Sequence, residues 1–115
     1  MAKDNIILIK TYDFAVEIVR LCRLITAERK EYVLSKQLLR SGTSIGANAE
    51  EGAGGFTKKD FRAKMSIAYK EARESSYWLR LMRDTKLISE DEFNNIHPKC
   101  EEILKILFSI IKNSK

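Results

Sequence analysis

The sequence predicts an all-α protein: an antiparallel up-down-up-down four-helix bundle, one domain over residues 1–115. Three observations predict it. Apolar residues recur at alternating spacings of three and four in four separate stretches, the signature of helices that bury one stripe. Polar, glycine-rich or capping segments separate the stretches, leaving only short connections. No run alternates with period two for long enough to be a strand, and 5 glycines and 1 proline are too few for a sandwich with a turn every ten residues or so.

The first stretch, residues 6–27, carries Leu8, Thr11, Ala15, Ile18, Cys22 and Ile25 on one face, with Asp4 or Asn5 as its expected cap. Glu28-Arg29-Lys30-Glu31 is a polar break. The second stretch, residues 32–52, carries Leu34, Leu38, Ser41, Ile45 and Asn48 and stops at the glycine cluster Gly52–Gly55. Thr57 caps the third, residues 58–85, whose stripe is Phe61, Met65, Ala68, Ala72, Ser75, Leu79 and Met82. Ser89 and Glu92 form a capping box for the fourth, residues 90–112, with Phe93, Ile96, Cys100, Ile103, Leu107 and Ile110 inward. Pro98 lies inside that stripe, so a kink or a restart is expected between Asn95 and Pro98.

With 44% hydrophobic and 32% charged residues the chain is neither disordered nor membrane-embedded by composition. No apolar run reaches the ~18 residues of a membrane span. The N-terminus lacks the apolar core and cleavage site of a signal peptide, and a cytoplasmic protein is expected. Cys22 and Cys100 sit on apolar helical positions and read as reduced core thiols. His97 precedes Pro98 in a charged segment, where a solvent-exposed side chain is the default.

Helix three has more apolar surface than one stripe. At ~100° per residue, Ile67, Trp78 and Leu81 fall on one line about 100° from the core stripe, with Glu71 and Glu74 between them. A wide core stripe with Trp78 at its edge would explain this. A subunit interface explains it better, because Trp among apolar neighbours on a polar face is what an interface core looks like. Glu71 and Glu74 would then need basic or hydrogen-bonding partners from the next subunit. In helix two, Gly42, Gly46, Ala49 and Ala53 form a line of small residues. Each mid-helix glycine costs ~1 kcal/mol relative to alanine, a cost that close helix packing offsets.

The net charge is +5, and residues 57–85, with eight basic and four acidic side chains, hold +4 of it. Lys58, Lys59, Arg62, Lys70, Arg73, Arg80 and Arg83 share one sector of the third helix beside the core stripe, while Lys64 falls outside it. Tyr69 and Tyr77 lie in that sector, placed to stack on bases or sugars. A solvated face is the plain alternative. Two features favour nucleic-acid binding. Lys58, Lys59 and Arg62 crowd a helix N-terminus, where positive charge opposes the dipole. An oligomer would also repeat the patch and add up weak phosphate contacts.

Catalytic signatures are missing: there is no glycine-rich phosphate loop, no Cys-x-x-Cys and no zincin motif. Helical-bundle nucleases of toxin systems carry an arginine shortly before a histidine, and His97 has none at that spacing. Glu50 and Glu51 point to different faces, and Glu71 with Glu74 is too small a set for a metal. The chain reads as non-catalytic, without metal or cofactor.

The run from Gln37 through Leu38, Arg40, Ser41, Gly42, Ile45 and Gly46 to Glu51 resembles a specific family pattern. So does Lys59-Asp60-Phe61, with Ser66-Ile67-Ala68 and Lys70 to Leu81, including Glu74-Ser75-Ser76-Tyr77-Trp78-Leu79. Together they are similar to the four helix bundle proteins encoded by intervening sequences of 23S ribosomal RNA genes, also called the S23 ribosomal protein family. The likeness spans about Tyr12 to Leu107. Departures are Ala49 where isoleucine is usual, the glycine-rich turn at Gly52–Gly55, and Pro98. The resemblance implies a cytoplasmic bacterial bundle assembling as a ring-like homopentamer, with a poorly defined role. A related branch, the accessory proteins of diversity-generating retroelements, comprises basic pentamers that bind a reverse transcriptase and nucleic acid. The expected partners are therefore copies of the chain itself, RNA or DNA, and a nucleic-acid-processing protein; the rival expectation is a protein–protein module without nucleic acid.

Overall fold

The computed structural model describes residues 2–114, and side chains from Ile6 onward. The four helices are α1 (Ala2–Arg29), α2 (Val33–Ala53), α3 (Lys58–Asp84) and α4 (Glu90–Asn113), and among the described residues there is no strand. Each sequence neighbour packs on the next, α4 closes against α1, and the backbones of the diagonal pairs stay farther apart. The registers run antiparallel throughout. Ser41 bonds Ser75 and Lys64 meets Glu51 across α2 and α3, while Ser76 bonds His97 and Tyr69 meets Phe108 across α3 and α4. Lys10 and Lys99 pair with Glu102 and Glu17 at 3.2 and 2.7 Å, and Arg29 reaches Glu92, so α1 and α4 run opposite ways too. The result is 44 Å long and 20 by 18 Å across, one long helix by two helix diameters.

The core is the union of the four stripes. Ile7, Phe14, Ile18, Ile25, Leu38, Ile45, Met65, Leu79, Met82, Ile103 and Leu107 are all fully buried. Polar atoms in this interior are satisfied locally. Ser41 and Ser75 share a 2.9 Å hydrogen bond, and the Cys22 thiol and the Ser35 hydroxyl each donate to the other's carbonyl at 3.4 and 3.3 Å. Burial pushes the Cys22 thiol up, and burial with the nearby Glu101 carboxylate pushes Cys100 up to about 12. Both are inert thiols at neutral pH.

Helix ends follow the capping chemistry with two corrections. The Thr57 hydroxyl accepts from the Asp60 amide at 3.0 Å, and Ser89 with Glu92 forms the capping box. By contrast, α1 begins at Ala2, upstream of the expected cap, and the Asp4 and Asn5 side chains lie outside the described residues. The N-cap position of α2 is Tyr32, which makes no side-chain cap; the carboxylate of Glu31 before it accepts from the amides of Val33, Leu34 and Ser35 at 3.2, 3.1 and 3.0 Å. The expected restart at Pro98 does not occur: α4 is continuous through it. Pro98 is exposed, so its ring lies on the water side of the helix while Ile96, His97 and Cys100 hold the inner side to the core.

Arg29 locks one end of the bundle. Its guanidinium forks onto both oxygens of Glu92 at 2.9 and 2.6 Å and donates to the Leu87 carbonyl at 2.8 Å. The same Glu92 accepts from the Ser89 amide, so one carboxylate ties the end of α1 to the start of α4. The Arg29 hydrogen bond holds its carboxyl below the usual range.

Candidate nucleic-acid interface and subunit surface

Helix α3 is two-sided outside its core stripe, because α2 and α4 flank it from opposite directions. The flank toward α2 holds the apolar line. Trp78 is half-buried, with its body against the core, and its indole N–H donates to Glu74 at 3.1 Å. Tyr77 meets it edge-on at 5.1 Å. Leu81 is half-buried and Ile67 is 40% exposed. The expectation that Glu71 and Glu74 need a neighbouring subunit is corrected here. Arg40 of α2 reaches Glu74 at 2.6 Å and stands 3.7 Å from Glu71. Their charge is met within the chain, although the buried Glu71 Oε1 accepts no hydrogen bond.

The line of small residues on α2 is used inside the protomer. A Cβ on Gly42 would lie 2.8 Å from Ile18 of α1, and one on Gly46 would lie 3.3 Å from Thr11. Ala49 is fully buried and Ala53 is exposed.

The flank toward α4 and the outer surface carry the cations. Lys58, Lys59, Arg62, Lys70, Arg73 and Arg80 are all exposed. Among the described residues the first five meet no acidic partner, whereas Lys64, on the α2 flank, pairs with Glu51 at 2.8 Å. Lys58, Lys59, Arg62 and Ser66 line an open cavity of about 350 Å³. The Arg80 guanidinium lies 5.9 Å from the Tyr77 ring centre. Arg83 departs from the expected set. Its Nε donates to Asp84 at 2.8 Å and its guanidinium covers Phe93 at 4.2 Å, so it serves the bundle end more than a ligand.

His97 is the largest departure from the sequence reading: it is 9% exposed, not solvated. Its Nε2 shares a 2.8 Å hydrogen bond with the Ser76 hydroxyl, its ring stacks on Phe93 at 4.4 Å, and Nδ1 lies 3.6 Å from Glu101. The available signal was spacing, since His97 sits four residues after Phe93 and one after the core residue Ile96. Burial holds the imidazole below its ordinary value; Glu101 on α4 opposes this, and Arg80 and Arg83 on α3 reinforce it. The unfolded chain therefore takes up the proton first. Stability is complete above about pH 6.5 and is lost as pH falls through the lower folded value. His97→Gln, which keeps a donor and an acceptor for Ser76, should flatten the fall in Tm between about pH 7 and pH 5. An equally steep fall in the variant would remove His97 as the cause.

A second surface escaped the sequence reading. Tyr12, Tyr32 and Val33 are 63, 59 and 72% exposed, and Tyr32 borders the α1–α2 seam. There a groove of about 420 Å³ is lined by Val19, Arg23, Tyr32, Lys36 and Leu39, among others. Among the described residues no group of three His, Cys, Asp or Glu is placed to hold a metal, and no helix is long and apolar enough to cross a membrane.

Fold and surface together define a small all-α four-helix bundle protein with one cationic outer helix. The chain belongs to the 23S rRNA-intervening sequence protein family, whose pattern matches residues 3–109. It is also similar to a crystal structure from the S23 ribosomal protein family of Bacteroides thetaiotaomicron VPI-5482, described as a protein of unknown function. The two are 47% identical with a TM-score of 0.93, over 96% of this chain and 98% of that one. No curated protein matches.

Proposed function

We propose that this protein is a non-catalytic, cytoplasmic, homo-oligomeric bundle, assembled as a ring-like pentamer, that binds RNA or DNA without sequence preference through the outer face of α3. It acts as an accessory to a nucleic-acid-processing protein. The observation that carries the reading is the row Lys58, Lys59, Arg62, Lys70 and Arg73: five exposed cations with no acidic partner among the described residues. Cations spaced along one rod suit successive phosphates, and a ring would present several such rods at once. The half-exposed Ile67, Trp78 and Leu81 supply an apolar line for contact between copies.

The test is binding to mixed RNA and DNA at rising salt, with the oligomer measured by light scattering. About five phosphate contacts make affinity fall by roughly 100- to 500-fold between 50 and 200 mM salt, least for single strands and most for duplex. Affinity absent at 50 mM, or indifferent to salt, sinks the nucleic-acid reading, and a monomer sinks the ring. The apolar groove along α1 and α2 favours one second reading, a scaffold that binds protein and no nucleic acid. A partner retained after nuclease treatment would support that alternative.

A further inference from the structure

Three exposed aromatic rings stand on or beside the cationic face of α3, and a fourth, Tyr69, packs one side on the core and is half-buried there. Phe56, in the turn before Lys58 and Lys59, is 98% exposed. Phe108 of α4 is 57% exposed and leans on Tyr69 at 6.3 Å between ring centres, tilted by 47°. Lys105 and Lys112, three residues before and four after Phe108, share its side of α4 and are exposed. Arg62 and Arg73 stand at helical spacing on either side of Tyr69. Tyr77, 52% exposed, lies under the Arg80 guanidinium at 5.9 Å. Aromatic surface is thus held in water at three stations along the bundle: the α2–α3 turn, the α3–α4 seam, and Tyr77. Each station has cations beside it.

We infer that the outer face of α3 and its seam with α4 bind single-stranded nucleic acid, with unpaired bases stacked on Phe56, on the Tyr69–Phe108 pair and on Tyr77 while the neighbouring lysines and arginines hold the phosphates. The inference rests on the nucleic-acid reading above and specifies its substrate. The chemistry selects the strand. In a duplex the base faces are stacked on one another, and a convex helix surface meets only phosphates and groove edges. An unpaired strand offers its base faces, and each base stacked on an aromatic side chain contributes about 1–3 kcal/mol regardless of sequence. Tyr69 and Tyr77 are eight residues apart on one helix, ~12 Å along its axis. A lipid surface also takes aromatic and basic residues together. It favours a continuous apolar face, however, whereas here cations separate the rings.

The test compares a labelled oligothymidine of about 20 nucleotides with a duplex of equal length, by fluorescence anisotropy at ~0.1 M salt. The single strand should bind at least about fivefold more tightly, the effect of one stacked base. Phe108→Ala and Phe56→Ala should each weaken single-strand binding by a similar factor. Neither should change duplex binding or the salt slope, and both should keep the helical content of the parent. Equal or tighter duplex binding, or variants that bind the single strand like the parent, overturn the stacking role while leaving the phosphate face standing. No binding to either oligonucleotide overturns both. Co-sedimentation with phosphatidylcholine–phosphatidylglycerol vesicles that Phe108→Ala abolishes, with no single-strand preference, assigns the rings to a membrane surface instead.

Discussion

Gly42→Val is expected to lower Tm by about 10 °C or more, although valine is a better helix former than glycine. A Cβ at this position would stand 2.8 Å from both Cγ1 and Cγ2 of Ile18 and 3.2 Å from its Cβ. Ile18 is fully buried, and those atoms belong to the stiff branched root of its side chain. Relief therefore requires α1 and α2 to separate along the seam that Cys22 and Ser35 also tie. Overpacking of this kind costs about 1–3 kcal/mol for small additions and more for the three carbons of valine. Replacing a mid-helix glycine recovers less than about 1 kcal/mol. Gly42→Ala should show the same sign with a smaller loss, and Ile18→Ala should mask part of it, since the two side chains would compete for one space. The control is Gly54→Ala, where a Cβ meets nothing nearer than 3.6 Å and Tm should not fall. If Gly42→Ala raises Tm like an ordinary propensity gain, the close approach of α1 is not what places the glycine there.

The triple reversal Lys59→Glu, Arg62→Glu, Arg73→Glu is expected to weaken nucleic-acid binding by roughly two to three orders of magnitude at ~0.1 M salt, alike for every sequence tested. The three side chains are exposed and meet no acidic partner among the described residues, so reversal breaks no ion pair and should leave Tm nearly unchanged. Each lost phosphate contact also removes about one unit from the slope of log affinity against log salt, so the slope should shrink by two to three units. A double reversal on the opposite face, Lys10→Glu with Lys99→Glu, separates contact from net charge. Those lysines pair with Glu102 and Glu17, so their reversal should cost stability and leave most of the affinity. Equal losses of affinity from the two sets would mean that overall charge, and not the α3 face, drives binding.

The departures from the sequence reading share a cause. The four helices, the Thr57 cap and the Ser89–Glu92 box were legible because spacing and capping are local, acting within a turn or two. Lys64 was separable from the other cations for the same reason: its angle on the helix is a local quantity. His97 looks solvated from the sequence because its neighbours there are charged. Its burial comes from Ser76, 21 residues away on α3, and from the Phe93 ring it stacks on. The carboxylates at 71 and 74 looked unpartnered because Arg40, 34 residues before Glu74, belongs to another helix. Arg83 shares the cationic sector of the wheel, yet Asp84 beside it and Phe93 across the turn claim its guanidinium. Phe56 and Phe108 are silent in the sequence because a lone aromatic outside the stripe has no periodic signal; their exposure is a fact of packing.

The sequence by itself determined the helices, their order, the inward stripes and the concentration of positive charge on the third helix, since each follows from composition and from a period of 3.6 along one chain. Only the tertiary structure decided which neighbour each flank of a helix meets. That choice sent Gly42 against Ile18, Arg40 to Glu74 and His97 to Ser76, and it left Lys59, Arg62 and Arg73 in water. The physical reason is that a helical wheel gives the angle of a side chain about its own axis but not what stands at that angle, which depends on groups distant in sequence brought within a few ångströms.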